Sequence, residues 1–283
     1  KGMDPTRAVP RLNCTLPMNG GLSLIDRPTM RYNTFDWGPL DIDDSGMPDG
    51  EIAQWAVGQL EQDHDKPFFL AVGFRKPHLP FNAPRRYWDL YQRDEIPLAA
   101  NPFVPRDAPP MAINNLRELR GYRDFTQAVH PTLGTLTEAD ARRLRHGYLA
   151  SVSYVDAQIG RLLDQLEALD LADDTVVVLW GDHGWKLGEH DSWCKHTNFE
   201  IDARAPMMVS TPETQGVGLR TDALVEFVHV LPVQRMALPD LVDQVVQAQP
   251  GRMRLVADQG RLRFAGRDGE VAALDDLFHG LPL

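Results

Sequence analysis

The chain has 283 residues, 43% apolar and 24% charged, with a net charge of −11 and two cysteines. Such proportions belong to globular proteins and exclude disorder as the main state, and the acidic balance repels phosphate backbones and excludes a general nucleic-acid binder. No apolar run reaches the roughly 18 residues of a membrane-spanning helix, and Cys14 and Cys194 are too few for a disulfide framework or a four-cysteine zinc site.

Residues 1–48 mix prolines, glycines and short polar clusters without a period, and read as loops and turns. Asp41, Asp43 and Asp44 lie in this stretch. No buried strand leads into them, so they read as solvated turn and helix-start acids rather than as paired metal carboxylates. A helix is predicted over 49–63, capped by Asp49, with Ile52, Trp55, Ala56 and Leu60 at three- and four-residue spacing. Phe68–Phe74 is a fully apolar run that fits a strand buried on both faces. Residues 75–84, with three prolines, form the loop at its C-terminal end.

Residues 92–135 are irregular and rich in proline. Thr137, with Asp140 three residues on, resembles a capping box and opens a helix to about Leu169. One face of that helix carries Leu144, Tyr148, Val152, Val155, Ile159, Leu162, Leu163 and Leu166. Thr175–Trp180 reads as a second buried strand and Pro206–Ser210 as a third. Strand, long helix, strand is a βαβ pattern, which implies an α/β fold with a mostly parallel sheet. Beyond 215 the pattern weakens: 223–231 fits a helix or a strand, and 251–278 fits a few antiparallel strands. The division that follows is a main domain over 1–238 and a small C-terminal element over 239–283.

In open parallel sheets, ligands sit beyond the carboxyl ends of strands, and two such ends carry chemistry here. The first is Lys76-Pro77-His78-Leu79-Pro80-Phe81. The second is Gly181–His190, continuing through Trp193-Cys194-Lys195-His196-Thr197-Asn198. So many polar groups beside a buried run cost free energy unless they are paired, bound to metal or used in catalysis. Asp182 and His183 can donate two ligands to a divalent cation, whereas calcium takes about 6–8, mostly oxygens. Read alone, the pair is equally a turn with a hydrogen-bonded histidine. His78, held between two prolines, is a candidate proton donor or anion ligand. Lys195 can clamp an anion as a point charge. Trp185 and Trp193 either wall a pocket or simply pack, and Cys194 reads as a small buried residue.

Taken together, Pro67–Phe81, Tyr148–Gly160 and Gly181–Asn198, with Phe199–Pro206 behind them, resemble the type I sulfatases of the alkaline-phosphatase-like superfamily. Within these they resemble the iduronate-2-sulfatase branch. The stretches follow in family order across residues 49–212. The resemblance implies an alkaline-phosphatase-like sandwich around a large mixed sheet, one calcium ion, and hydrolysis of a sulfate ester on a sulfated sugar such as a sulfated uronic acid. In such enzymes a cysteine-derived formylglycine attacks sulfur while metal and basic side chains neutralise the sulfate oxygens. Carried over, Asp182 and His183 become metal ligands, and His78 a sulfate contact and acid for the leaving oxygen. Lys195 becomes a sulfate clamp and Trp185 a wall of the substrate pocket.

The sequence also departs from that pattern. The formylglycine motif, Cys (or Ser)-x-Pro-Ser-Arg, is absent, since Cys14 sits in Asn-Cys-Thr-Leu-Pro. The aspartate pair that completes the metal site is absent as well, as are a further Lys and His at the sulfate. His229 stands where an acid is commoner and receives no role. The chain opens at Lys1 and reads as the C-terminal portion of a sulfatase, incomplete at the N-terminus and inactive without a complementing N-terminal segment. Two alternatives remain: a phosphatase or phosphonate hydrolase of the same superfamily, with two metals and a Ser or Thr nucleophile, and an inactive binding module.

Overall fold

The computed structural model describes residues 37–64, 67–113, 116–212 and 220, with strands at 256–258, 261–265 and 271–272. These residues fall into two units, one comprising 37–169 and 179–207, the other 170–178 and 208–212 with the C-terminal strands. The expected boundary at 238/239, Cys14, His229 and the 223–231 segment lie outside the described residues.

In the first unit, β1 (Gly38–Leu40) pairs in parallel with β2 (Asn82–Pro84). Between them α1 spans Pro48–Leu60, one residue longer at its start than predicted. Proline at the first helical position loses nothing by lacking an N–H there, and the capping position falls to Met47, which makes no side-chain cap bond. Asp49 therefore does not cap the helix. It is 2% exposed, and its two carboxylate oxygens accept the backbone amides of Arg75 (2.9 Å) and Lys76 (2.8 Å).

The expected strand at 68–74 does not form. The segment has no regular secondary structure and makes no strand pairing among the described residues, and Phe68 and Phe69 are exposed. The apolar run supplies the side chains of a buried strand, but a strand also needs neighbours to take its backbone groups.

Short α2 (Arg85–Trp88) follows β2, and α3 (Glu138–Ala168) matches the predicted long helix. Thr137 Oγ1 accepts the Asp140 amide at 3.1 Å and donates to the Asp140 carboxylate at 2.7 Å. Of the anticipated face, Leu144, Tyr148, Val155 and Leu166 are buried, joined by Tyr154, His146 and Gln158. Gly147 lets α3 approach closely: a Cβ there would come within 2.9 Å of Phe81 Cβ and 3.0 Å of the Trp88 ring.

The core of this unit is aromatic. Trp37 packs against Phe81, Trp88, Tyr122 and Phe125 with centroids 5.1–6.4 Å apart. Rings at these separations add to their burial through edge and offset contacts. The Tyr122 hydroxyl accepts the amide of Phe81 (2.9 Å), so the core fixes the end of the proline loop. Burial drives the Tyr122 hydroxyl well above its ordinary pKa, keeping it protonated.

Asp44 is not the solvated acid expected. Its Oδ2 accepts the Tyr87 hydroxyl (2.6 Å) and the Gln158 amide (2.7 Å) and pairs with Arg86 (2.6 Å). Asp41, by contrast, is exposed and pairs with Arg85. No spacing rule in sequence foretells that Gln158, more than a hundred residues on, meets Asp44.

β3 (Val177–Trp180) and β6 (Met207–Ser210) share a two-stranded sheet. After β3 the chain forms an antiparallel pair, β4 (Lys186–Leu187) with β5 (Trp193–Cys194), and then the short α4 (Glu200–Ala203). Cys194 is buried and free, as expected. Of the C-terminal strands, β7 (Val256–Asp258), β8 (Arg261–Ala265) and β9 (Val271–Ala272) pair antiparallel in that order, as the sequence predicts. Among the described residues no helix is long and apolar enough to cross a membrane.

Candidate functional site

Two segments of the first unit meet around one indole. Trp185 has the His78 ring edge-on at 5.9 Å and the His183 ring stacked at 6.0 Å. Lys195 Nζ lies 4.7 Å over its face, within cation–π range. Phe81 and Tyr148 pack on the same ring, each with centroids 6.3 Å away. His78, His183, Trp185 and Lys195, up to 117 positions apart, therefore share one neighbourhood, and Asp182 borders it through His183. Trp185 lines the site, whereas Trp193 is 3% exposed and packs in the core.

The His78 loop is held from three sides. Asp49 takes the amides of Arg75 and Lys76, Lys76 Nζ donates to the Pro80 carbonyl, and the His78 amide donates to Arg75 O at 2.9 Å. Burial brings the Lys76 ammonium down to about 7, against the pull of Asp49. His78 Nδ1 lies 2.9 Å from the Leu79 carbonyl. A carbonyl only accepts, so Nδ1 carries the proton and Nε2 is left to exchange one. Burial lowers the His78 pKa below the ordinary imidazole value; the Leu79 bond opposes this and the Lys195 charge adds to it.

The second segment is fixed by a buried ion pair. Lys186, wholly buried, donates to the Asp202 carboxylate and to Thr197 Oγ1 (3.0 Å). The same Asp202 Oδ2 accepts the Thr197 amide (2.8 Å) and hydroxyl (2.6 Å). Gly184 donates its amide to Asp202 O, and a Cβ at 184 would lie 1.9 Å from Ile201 O. Glycine is thus the side chain that fits. Between these anchors the backbone is strained: His190, Asp191, Cys194 and His196 all have positive φ without being glycine. Such conformations persist only when the surroundings impose them, and they concentrate at functional loops.

His183 Nδ1 donates to the Gly184 carbonyl at 2.7 Å, which leaves its Nε2 lone pair 3.5 Å from Asp182 Oδ2. A carboxylate oxygen and an imidazole nitrogen at that separation can contact one cation, with the carbonyl orienting the ring from behind. Among the described residues, no group of three or more His, Cys, Asp or Glu side chains is arranged to hold a metal. Asp182 and His183 are therefore a pair of candidates and not a complete site among the described residues.

Sequence reasoning missed Glu118 and His196. Glu118 Oε1 lies 3.2 Å from Lys195 Nζ, 3.3 Å from His196 Nε2 and 4.0 Å from His78 Nε2. Nothing in the irregular 92–135 stretch distinguishes this acid from its neighbours. His196 was legible only as part of the long motif.

The described residues thus bring a lysine, two histidines and, through His183, an aspartate around one indole, within a fold of helices and strands. A protein solved in complex with its substrate D-glucosamine-2-N,6-O-disulfate superimposes with a TM-score of 0.57 at 21% identity, covering 80% of this chain and 57% of that one. The Sulfatase family model matches residues 13–233, and the chain belongs to that family. Mouse (Mus musculus) iduronate 2-sulfatase is 40% identical over 176 residues, 61% of this chain and 32% of that protein. A Formosa agariphila sulfatase is 33% identical over 205 residues, 71% of this chain and 38% of that protein. The chain thus spans about a third of the length of the curated relatives it matches.

Proposed function

We propose that this chain supplies the sulfate-binding side of a sulfuric ester hydrolase acting on a sulfated saccharide. The observation that carries this reading is the convergence of His78, Lys195 and His183 on Trp185. Lys195 binds a sulfate oxygen as a point charge, and Trp185 beneath it excludes water and strengthens the attraction. A sulfate beside His78 offsets the burial that keeps its imidazole neutral, so the ring arrives protonated when an anion arrives. Nε2 then donates its proton to the leaving alcohol oxygen as the S–O bond breaks, while the Leu79 carbonyl holds Nδ1–H.

Asp182 and His183 would contribute two ligands to a calcium ion, which when bound neutralises sulfate oxygens in the transition state. The nucleophile, formylglycine in this reading, and the remaining ligands come from a complementing N-terminal segment. The site residues and the main-domain span of 1–238 belong to the same proposal.

The test is titration of the chain with inorganic sulfate, with and without calcium, followed through histidine imidazole resonances. Wild type should bind sulfate with shifts at His78, and Lys195→Met should abolish binding. Saturation by sulfate that ignores Lys195→Met would sink the reading. An aryl sulfate with calcium should show no turnover by this chain above a His78→Ala control.

A further inference from the structure

The anion seat proposed above is already filled from within. Glu118 Oε1 meets Lys195 Nζ at 3.2 Å, His196 Nε2 at 3.3 Å and His78 Nε2 at 4.0 Å, three groups from two distant segments. A sulfate oxygen bound by Lys195 and His78 would need the same position. We propose that Glu118 is a displaceable internal counter-ion, a specificity element that occupies the seat of the sulfate and must swing out before an anion binds. The inference rests on the sulfate-site reading.

Three features support displacement over a permanent structural pair. The second oxygen, Oε2, is buried and has no hydrogen-bond partner among the described residues, so the carboxylate is only half satisfied there. A carboxylate in water satisfies both oxygens, which lowers the cost of leaving. The backbone beside Glu118 is anchored, with Leu116 and Leu119 3% and 1% exposed. The side chain itself keeps 19% exposure, so rotation about its own bonds carries it toward solvent without moving the core. Without substrate, the carboxylate balances the charge of Lys195, whose side chain is 12% exposed. Weak anions that cannot outcompete a tethered carboxylate are then excluded.

The experiment compares inorganic sulfate binding by the full chain as wild type, Glu118→Gln and Glu118→Ala, each with and without Lys195→Met, followed by isothermal titration and imidazole resonances. Both Glu118 variants should bind sulfate at least about tenfold more tightly than wild type, and Lys195→Met should abolish the gain. Acetate should compete with sulfate in Glu118→Ala, where it can refill the seat, and not in wild type. Equal or weaker sulfate binding in the variants, with Lys195→Met still abolishing it, would leave the sulfate site standing and overturn the role of Glu118. Loss of folding in both variants would make Glu118 a structural ion-pair member and overturn it too. Binding that is absent throughout, or indifferent to Lys195→Met, would remove the sulfate site and this inference together.

Discussion

Lys186→Met tests whether the buried pair with Asp202 holds the second half of the site. Lys186 and Asp202 are 0% and 3% exposed at their side chains. Removing the ammonium leaves a carboxylate with no counter-charge in a buried site. Its Oδ2 keeps the two Thr197 donors, and its Oδ1 has no partner among the described residues. Breaking one side of such a pair costs about 3–5 kcal/mol, a large share of the roughly 5–15 kcal/mol that holds a domain folded. Urea unfolding at pH 7, followed by tryptophan fluorescence, should show that loss in Lys186→Met. The double variant Lys186→Met/Asp202→Asn should recover at least about 1.5 kcal/mol of it, because the amide oxygen still accepts from Thr197 without bearing a charge. A loss under about 1 kcal/mol, or a double variant no more stable than the single, would refute the view that this ion pair organises residues 184–202.

Two further outcomes follow from the same loop. Burial raises the Asp191 carboxyl to about 6, and the residue is 8% exposed. The folded state therefore binds the proton more readily than the unfolded one. Its stabilising effect is complete below the ordinary value of 3.8 and lost as pH rises through about 6. Asp191→Asn should stabilise the chain by up to about 3 kcal/mol at pH 8, with the difference vanishing near pH 3.5, as thermal melts across pH would show; Asn also tolerates the positive φ there. Gly184→Ala should cost more than about 3 kcal/mol or prevent folding, because its Cβ would meet backbone oxygens of Ile201 and Arg204 at 1.9 and 2.8 Å. A soluble variant with an unchanged urea midpoint would refute that.

What the sequence disclosed and what it hid divide along a physical line. α3 was legible from Thr137 to its end because capping and 3.6-residue periodicity are local properties. The meeting of His78 with the 181–198 segment was legible because each lies in a long, specific stretch with a family resemblance. Residues 68–74 misled: apolar composition describes side chains, while a strand is defined by partners for its backbone. Asp44 and Glu118 were illegible for the converse reason. Their partners, Gln158 and Lys195, are distant in the chain, and an acid in a turn has the same local signature whether solvent or protein receives it. Asp49 was placed at the right helix end with the wrong task, because Pro48 took over the start.

That task has a consequence for motion. The amides of residues 75 and 76 are tied to a carboxylate in the first turn of α1, so they open to deuterium when that turn frays rather than when the proline loop flexes. The imidazole two residues further on borrows its stillness from a helix outside the motif stretches. A lesion at position 49 would thus loosen the loop that carries His78 while leaving every residue of the quoted stretches in place.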